Sequence, residues 1–295
     1  MTSVSIYLRQ HAQRLKDAGR TRTSETYLAT LSSFTKFCNG QDIDIARIDT
    51  NLIERYESYL KGRHLSRNSS SFYMRILRRI YNLAVSDGLA SPATPFRTVY
   101  TGIDKTARRA ISMRDLRAIR SLVLPLGNPL DFARDMFLFS FYMRGMSFVD
   151  MAYLRKCDLR NGFVTYNRKK TSQQLSVRWE RPMQEIVDKY DTGNSSYLLP
   201  IIQREDGTER RQYLNRLLYV NRKLKLVARM VAIRFPLTMY VARHSWASIA
   251  HERNIPLHVI RDALGHDNEA TTQIYITSIH TNQIDAANRE IIGLI

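Results

Sequence analysis

The sequence contains very little cysteine and no long apolar run. Only Cys38 and Cys157 occur among its 295 residues, far apart and without the paired spacing of a metal-binding motif. This argues against a disulfide framework or a cysteine zinc site and fits a reducing cytosol. The longest apolar stretch, between Asp135 and Arg144, is far too short to span a bilayer. The N-terminus is amphipathic and charged, unlike a secretory signal. We therefore expect a soluble, cytoplasmic protein with no membrane partner.

Acidic residues are also scarce compared with basic ones. The chain has 45 Lys and Arg against 27 Asp and Glu, which gives a net charge of +18 and a pI of about 10.1. Such an excess favours a polyanionic partner, because lysine and arginine displace counterions from phosphates. Nucleic acid is the preferred interpretation, and a merely basic or ribosomal-type soluble protein is the alternative.

The apolar periodicity predicts two domains and a mainly α fold with a small antiparallel β-sheet. Residues 1–90 contain four amphipathic helical patterns, the third of them opening at Thr50 as its N-cap, and so predict a small helical bundle. Residues 91–109 contain two prolines and no clear period, and we interpret them as the interdomain linker. Residues 110–295 form the second domain, in which alternating segments on both sides of Thr171 to Gln173 predict a β-hairpin.

The fourth helical pattern, from about Asn68 to Ser86, carries arginines and serines away from its apolar stripe. Such side chains on one helical face suit contact with DNA phosphates and base edges. The alternative is a solvated basic face. The residues predicted to contact DNA are Arg67, Ser69, Ser70, Arg75, Arg78 and Arg79.

Three short motifs near the carboxy end supply the parts for attack on a phosphodiester. They are Arg243-His244-Ser245, then Leu264-Gly265-His266, then Tyr275 nine residues after that histidine. Tyr275 can provide a nucleophilic oxygen, and its aryl oxygen is also a good leaving group if strands are to be rejoined. Arg243 offers a planar fork of donors to two phosphate oxygens. His266 can donate a hydrogen bond or exchange a proton near neutral pH. No acidic constellation with the spacing of a two-metal nuclease stands out, so we expect cationic side chains and no metal or nucleotide cofactor.

These motifs resemble the signature of the tyrosine recombinases, also called the phage-integrase family. The resemblance implies a SAM-like core-binding domain followed by a catalytic domain, and a site-specific recombinase or integrase that acts through a 3′-phosphotyrosine. It also implies double-stranded recombination sites as partners, a tetramer of this chain on paired sites, and an accessory DNA-bending protein. The segment after Tyr275 would either dock on a neighbouring protomer, as in that family, or fold back onto its own domain.

The family also has a hairpin lysine, just before a threonine, that protonates the leaving 5′-oxygen. Lys170 and Thr171 match this pattern, and we predict that Lys170 is the general acid and that the adjacent Lys169 contacts DNA. An exposed hairpin charge without a catalytic role is the alternative for either lysine.

The sequence departs from the family pattern at two positions. Ser147 stands where the family has its leading arginine, and Arg144 lies three residues earlier. The sequence from Arg144 to Ser147 resembles that of a branch of mobile-element integrases and invertases in which the leading arginine is displaced. Arg144 would then either reach the phosphate or pair with Asp150. Tyr240 stands where the family has histidine, and would either donate to the phosphate or fill a gap in the core.

The predicted function is therefore DNA strand exchange, with Tyr275 as nucleophile assisted by Arg243, His266, Lys170, Arg144 and Tyr240. We expect a nucleoid-associated enzyme encoded by a bacterium, a phage or another mobile element. A non-enzymatic, sequence-specific DNA-binding protein on a degenerate recombinase fold is the alternative. A relaxing topoisomerase is a third interpretation, which the two-domain layout disfavours.

Overall fold

The computed structural model describes residues 2–104, 109–125 and 127–266, together with residues 268 and 272. The chain divides into two compact units, Met1–Thr106 and Ala107–Ile295. Each unit has its own apolar core. Tyr275 and the segment that follows it lie outside the described residues.

The first unit is built from four helices, as the apolar periodicity predicts. They are α1 (Val4–Asp17), α2 (Thr21–Phe37), α3 (Thr50–Gly62) and α4 (Arg67–Ser86). Tyr56 of α3 is fully buried, packs edge-to-face on Phe34 and donates its hydroxyl to Ser33 at 2.8 Å. The prediction of Thr50 as the N-cap of α3 is wrong. Asp49 holds that position because its carboxylate accepts the Leu52 N–H at 2.7 Å, and Thr50 is already helical.

Much of the segment that the sequence assigns to a linker packs on the first unit. Phe96 and Val99 are buried in the core of this unit. The backbone that follows them is bound to α4, where the Ser71 hydroxyl donates to the Gly102 carbonyl at 2.5 Å. The Asn68 amide pairs with the backbone of Asp104, donating to its carbonyl at 3.0 Å and accepting its N–H at 2.7 Å. Residues 96–104 therefore belong structurally to the helical unit.

The second unit is mainly helical with a three-stranded antiparallel sheet, as predicted. Its helices among the described residues are α5 (Met113–Arg120), α6 (Pro129–Tyr142), α7 (Phe148–Ala152), α8 (Arg181–Val187), α9 (Glu209–Met230), α10 (Met239–Glu252) and α11 (Leu257–Leu264). The strands β1 (Leu159–Arg160), β2 (Phe163–Asn167) and β3 (Gln174–Arg178) lie in that order.

Helix α6 is the centre of the second unit. It packs against α8, α9 and α10, and most of its side chains are buried, which explains the apolar run Met136–Phe139. Among the described residues, no helix has the combination of length and apolar character that a bilayer crossing requires. Strands β2 and β3 form the predicted hairpin, with Asn167 paired to Gln174, so residues 168–173 make the turn at its tip. This turn carries Arg168, Lys169 and Lys170, and the first half of α10 carries Arg243.

Candidate active site

Arg243 is the buried cation around which the other predicted residues gather. It lies on α10 with only 5% of its surface exposed. Its Nη1 donates to the Gly145 carbonyl at 3.1 Å, and its Nη2 donates to the Leu264 carbonyl at 2.5 Å. These carbonyls come from the loop after α6 and from the end of α11, so two distant parts of the chain fix one guanidinium.

Gly145 allows the loop after α6 to touch the α10 backbone. Its φ is +72°, and a Cβ built at this position would lie 2.6 Å from the Arg243 Cα. Any larger residue would therefore be strained and would also push directly against the backbone of α10. The backbone of the preceding residue, Arg144, is also in the left-handed region, with φ at +56°. The sharp turn at 144–145 is thus what brings the Gly145 carbonyl to Arg243.

His266 completes a direct contact with Arg243. Its Nε2 is 2.9 Å from Arg243 Nη2, and its Nδ1 is 2.9 Å from the Thr272 hydroxyl. Because a guanidinium can only donate, Nε2 accepts and Nδ1 carries the hydrogen. Burial, followed by the charges of Arg243, Arg168 and Lys170, lowers the pKa of His266 to about 4. The imidazole is therefore neutral at pH 7.

Arg168 is a buried cation of this site that the sequence interpretation missed. Only 9% of it is exposed, and its Nη1 donates to the Gly265 carbonyl. A Cβ on Gly265 would lie 2.7 Å from the Gln173 side-chain oxygen and 3.0 Å from Arg168 Cδ, so the hairpin turn packs directly on this glycine. The alternation of strand β2 could have identified Arg168, because it places this residue on the same inward side as Val164 and Tyr166.

The two neighbouring lysines of the turn have different surroundings. Lys169 lies with its Nζ 4.4 Å above the ring of Tyr153, and its backbone N–H donates to Asp150 at 2.8 Å. Lys170 is exposed, and its positive charge is one of the causes of the lowered pKa of His266. The side chain of Lys170 thus lies within electrostatic reach of the imidazole, while Lys169 is directed to the end of α7.

Arg144 does not pair with Asp150 among the described contacts. Its Nη1 lies 3.4 Å from the Ser176 carbonyl of β3. Burial raises the pKa of the Tyr166 hydroxyl, and the nearby Asp150 carboxylate raises it further, while Arg243, Arg168 and Arg144 act in the opposite direction. All three arginines therefore act electrostatically on one phenol beside the site.

Ser147, at the position of the family's leading arginine, is the N-cap of α7. Its hydroxyl accepts the Asp150 N–H at 3.3 Å and donates to the Asp150 carboxylate at 2.7 Å. Ser147 therefore caps α7 with its side chain. Asp150 is buried, with 6% of its surface exposed, and its other oxygen accepts the Lys169 N–H.

Tyr240 is not a core residue. More than half of its surface, 54%, is exposed, and its ring packs edge-on against His244 with centroids 4.7 Å apart. It lines a cleft of about 380 Å³ together with Gly145, Ser147 and Arg243. The interpretation of Tyr240 as a filler of a core gap is therefore wrong, and its side chain borders the same cleft as the buried arginine.

The predicted DNA-contacting residues of α4 do not all share one exposed face. Ser70 is buried, with 5% exposed, whereas Arg78 and Arg79 are exposed. The Arg78 Nη1 donates to the Thr101 hydroxyl at 2.9 Å. The guanidinium of Arg67 stacks 3.7 Å from the centre of the Tyr100 ring and lies 3.4 Å from the Asp104 carboxylate. The Ser69 hydroxyl forms a hydrogen bond of 2.9 Å with the Ser66 hydroxyl, and Arg75 is partly buried.

Replacement of Gly145 by alanine tests the close approach of the loop to α10. We expect Gly145→Ala to lower the free energy of unfolding by about 1–3 kcal/mol more than Gly162→Ala, since only the former adds overpacking to backbone strain. Gly162 is the matched control because its φ is +75° and a Cβ there would meet nothing within 4 Å. Urea unfolding followed by tryptophan fluorescence measures this, as Trp179 and Trp246 both lie in the second unit. Equal losses in the two variants would contradict the close approach.

The low pKa of His266 makes the stability of the second unit depend on pH. Between pH 6.5 and about 4, an unfolded chain binds a proton that the folded His266 does not, so stability falls as the pH falls through this window. We expect His266→Gln to remove about 2 kcal/mol of the stability loss between pH 7.5 and pH 5. His258→Gln, at an exposed position of α11, is the control. An unchanged pH dependence in His266→Gln would show that the histidine is not held neutral.

Two family models and several curated relatives match this chain. The phage integrase SAM-like domain matches residues 3–98, and the phage integrase family matches residues 131–281. The chain is 25% identical over 259 residues to the tyrosine recombinase XerD of Shewanella oneidensis, covering 86% of this chain and 85% of the relative. It is 24% identical to a tyrosine recombinase of Pseudothermotoga lettingae, covering 98% and 97% of the two chains.

Solved structures share the fold at low sequence identity. A lambda integrase (75–356) dimer bound to a COC′ core site superposes with a TM-score of 0.67 at 14% identity, over 93% of this chain and 95% of that one. The Tn1549 transposon integrase in complex with a circular intermediate DNA gives a TM-score of 0.69 at 12% identity, over 93% and 95%. A fold of SAM-like and integrase catalytic domains is thus confirmed. The chain belongs to the phage integrase family, the tyrosine-type site-specific recombinases.

Proposed function

We propose that this recombinase cuts and rejoins double-stranded DNA through a 3′-phosphotyrosine on Tyr275. The observation that carries the proposal is the 2.9 Å contact between Arg243 and His266, with the Lys170 turn packed beside it on Gly265. Arg243 and His266 thus bring a fixed guanidinium and an imidazole into contact, and the charge of Lys170 acts on that imidazole. Cations held in advance are what a phosphoryl transfer needs, because charge builds on the non-bridging oxygens.

In the proposed reaction the phenolic oxygen of Tyr275 attacks the scissile phosphorus. The bond from phosphorus to O5′ breaks, a bond from phosphorus to the tyrosine oxygen forms, and a 3′-phosphotyrosine and a 5′-hydroxyl result. Lys170 gives its proton to the leaving O5′, while Arg243 donates to the non-bridging oxygens. The 5′-hydroxyl of a second strand then reverses these steps, and the DNA is rejoined without loss of the bond energy.

His266 serves this reaction as a neutral imidazole. Burial and then the nearby cations lower the pKa of His266, and the negative charge of a bound phosphate would oppose the effect of those cations. The imidazole therefore gains basicity when DNA enters and can take the proton that Tyr275 loses. Its bond to Thr272 fixes the tautomer and leaves Nε2 directed toward Arg243 and the phosphate.

Ser147 stands where the family has its leading arginine, so other cations must take the place of that arginine. Arg144 and Arg168 act electrostatically on the same phenol, Tyr166, as Arg243 does, so three positive charges lie near this phenol. We propose that Arg144 turns from the Ser176 carbonyl to the phosphate when DNA binds. Tyr240, at the rim of the cleft, supplies a hydroxyl donor where the family has histidine.

DNA binding outside the catalytic centre rests on the basic balance of the chain. We propose that Arg75, Arg78 and Arg79 of α4 contact phosphates, with Arg67 and Ser69 at the start of the helix and Lys169 on the hairpin. The net charge of +18 predicts binding that weakens steeply with salt. The fold of this chain is similar to that of lambda integrase, which was solved as a tetramer bound to a Holliday junction. On this basis we propose a tetramer of this chain on paired sites. A mobile-element origin, an accessory DNA-bending protein and a nucleoid location complete the proposal.

Covalent trapping separates strand cleavage from mere DNA binding. Duplexes that the protein selects from a random library would be rebuilt with a nick close to the cleavage position, so that the short 5′-hydroxyl fragment diffuses away. We expect an adduct that survives denaturing gel electrophoresis for the wild type and for Tyr219→Phe, a tyrosine of α9 that serves as control. Tyr275→Phe should bind the same duplex with unchanged affinity and give no adduct. Tight binding by the wild type without any adduct would favour the non-enzymatic DNA-binding alternative.

A further inference from the structure

Asp150 is a buried carboxylate with both oxygens engaged next to the catalytic turn. Its Oδ1 accepts the backbone N–H of Lys169 at 2.8 Å, and its Oδ2 accepts the Ser147 hydroxyl at 2.7 Å. Only 6% of the residue is exposed. A buried carboxylate with both oxygens bound has a fixed orientation, and hydrogen bonds to an ionised group are the stronger kind. The Lys169 backbone is therefore held at a defined distance from α7.

The turn that carries Lys170 has few contacts of its own. Residues 169–172 are all exposed, so burial does not set their direction. Within the turn, Ser172 N–H donates to the Arg168 carbonyl at 2.8 Å, and Arg168 N–H donates to the Gln173 carbonyl at 2.9 Å. These bonds close the turn but do not attach it to the rest of the unit.

Besides the packing of Gln173 on Gly265, three contacts attach the turn to its surroundings among the described residues. Arg168 bonds the Gly265 carbonyl from one side, and Lys169 stacks on Tyr153 from the other. The third contact, Asp150 to the Lys169 N–H, acts on the backbone of the residue immediately before Lys170. The first two hold side chains with several rotatable bonds, so the third most directly fixes where the Lys170 side chain leaves the backbone.

We propose that Asp150 is the positioning residue for the proton donor, and that Ser147 supports it. Asp150 holds the turn so that Lys170 faces the scissile phosphate, while the Ser147 hydroxyl holds the carboxylate in place. Ser147 thus has a defined task here in spite of standing where the family has an arginine. This inference rests on the proposed function, since it assigns Asp150 to the step in which Lys170 protonates O5′.

A leaving group that needs no proton tests this role. In a duplex whose scissile bond carries sulfur in place of O5′, the phosphorus–sulfur bond breaks and a thiolate leaves, stable without a proton because thiols have a pKa of about 8.5. Cleavage of this substrate does not require a general acid. A loss of cleavage rate caused by a misplaced Lys170 should therefore disappear on the sulfur substrate. A loss caused by poor folding, weak DNA binding or a displaced Arg243 should persist on it.

The experiment compares the rates of covalent adduct formation on matched oxygen and sulfur duplexes for four variants. On oxygen, we expect Asp150→Ala to lose up to about 10²-fold, the cost of a misplacement on the order of 1 Å. Lys170→Ala should lose about 10²–10⁴-fold. Both should approach the wild-type rate on sulfur. Asp150→Asn should retain most activity on oxygen, since its amide oxygen still accepts the Lys169 N–H.

Asp158→Ala is the matched control. Its carboxylate also accepts a backbone N–H, that of Arg155 at 2.8 Å, but at a 3₁₀ helix away from the turn. It should cleave both substrates like the wild type. A defect of Asp150→Ala that is equally large on oxygen and sulfur would overturn the inference, as would an Asp150→Asn variant as poor as Asp150→Ala on oxygen, which would indicate a role of charge. A wild type that forms no adduct on either substrate would instead overturn the proposed function and this inference with it.

Discussion

The catalytic unit depends on one constraint: a guanidinium that is buried and held by backbone carbonyls. Arg243 donates to Gly145 and to Leu264, which stand before and after it in sequence by about a hundred and about twenty residues. Its own position is therefore set by the loop after α6 and by the end of α11 together. Since a fixed cation costs no reorganisation when charge develops on a phosphate, the core of the unit serves the reaction as well as stability.

The remaining side chains take their places from the same backbone contacts. Gly265 ends α11 with φ at +63°, receives the hairpin turn through Arg168, and leads directly to His266. The other side of the turn is attached to α7 through Asp150. The imidazole, the proposed proton donor and the guanidinium thus share a small set of anchors.

Much of this could be predicted from the sequence, where a local pattern carried the information. Apolar periodicity located the four helices of the first unit, and alternation located the hairpin. The resemblance of the Arg243 and His266 motifs to the family signature indicated that they act together. Contacts without a local pattern could not be predicted. Asp150 contacts Lys169, which lies 19 residues later in the chain. Phe96 and Val99 alone do not form a periodic pattern, so the sequence does not predict that the segment after α4 packs on the helical core. Tyr240 was ambiguous because aromatic side chains serve both cores and sites.

A structure of the Tyr275→Phe protein bound to its uncut recombination site would test the central claim most directly. The account predicts one phosphate with its non-bridging oxygens within about 3 Å of the Arg243 guanidinium. It also predicts the Lys170 Nζ beside the O5′ of that phosphate and the His266 Nε2 beside the ring of residue 275. A complex in which every DNA phosphate lies away from Arg243, with the guanidinium still bound only within the protein, would contradict it.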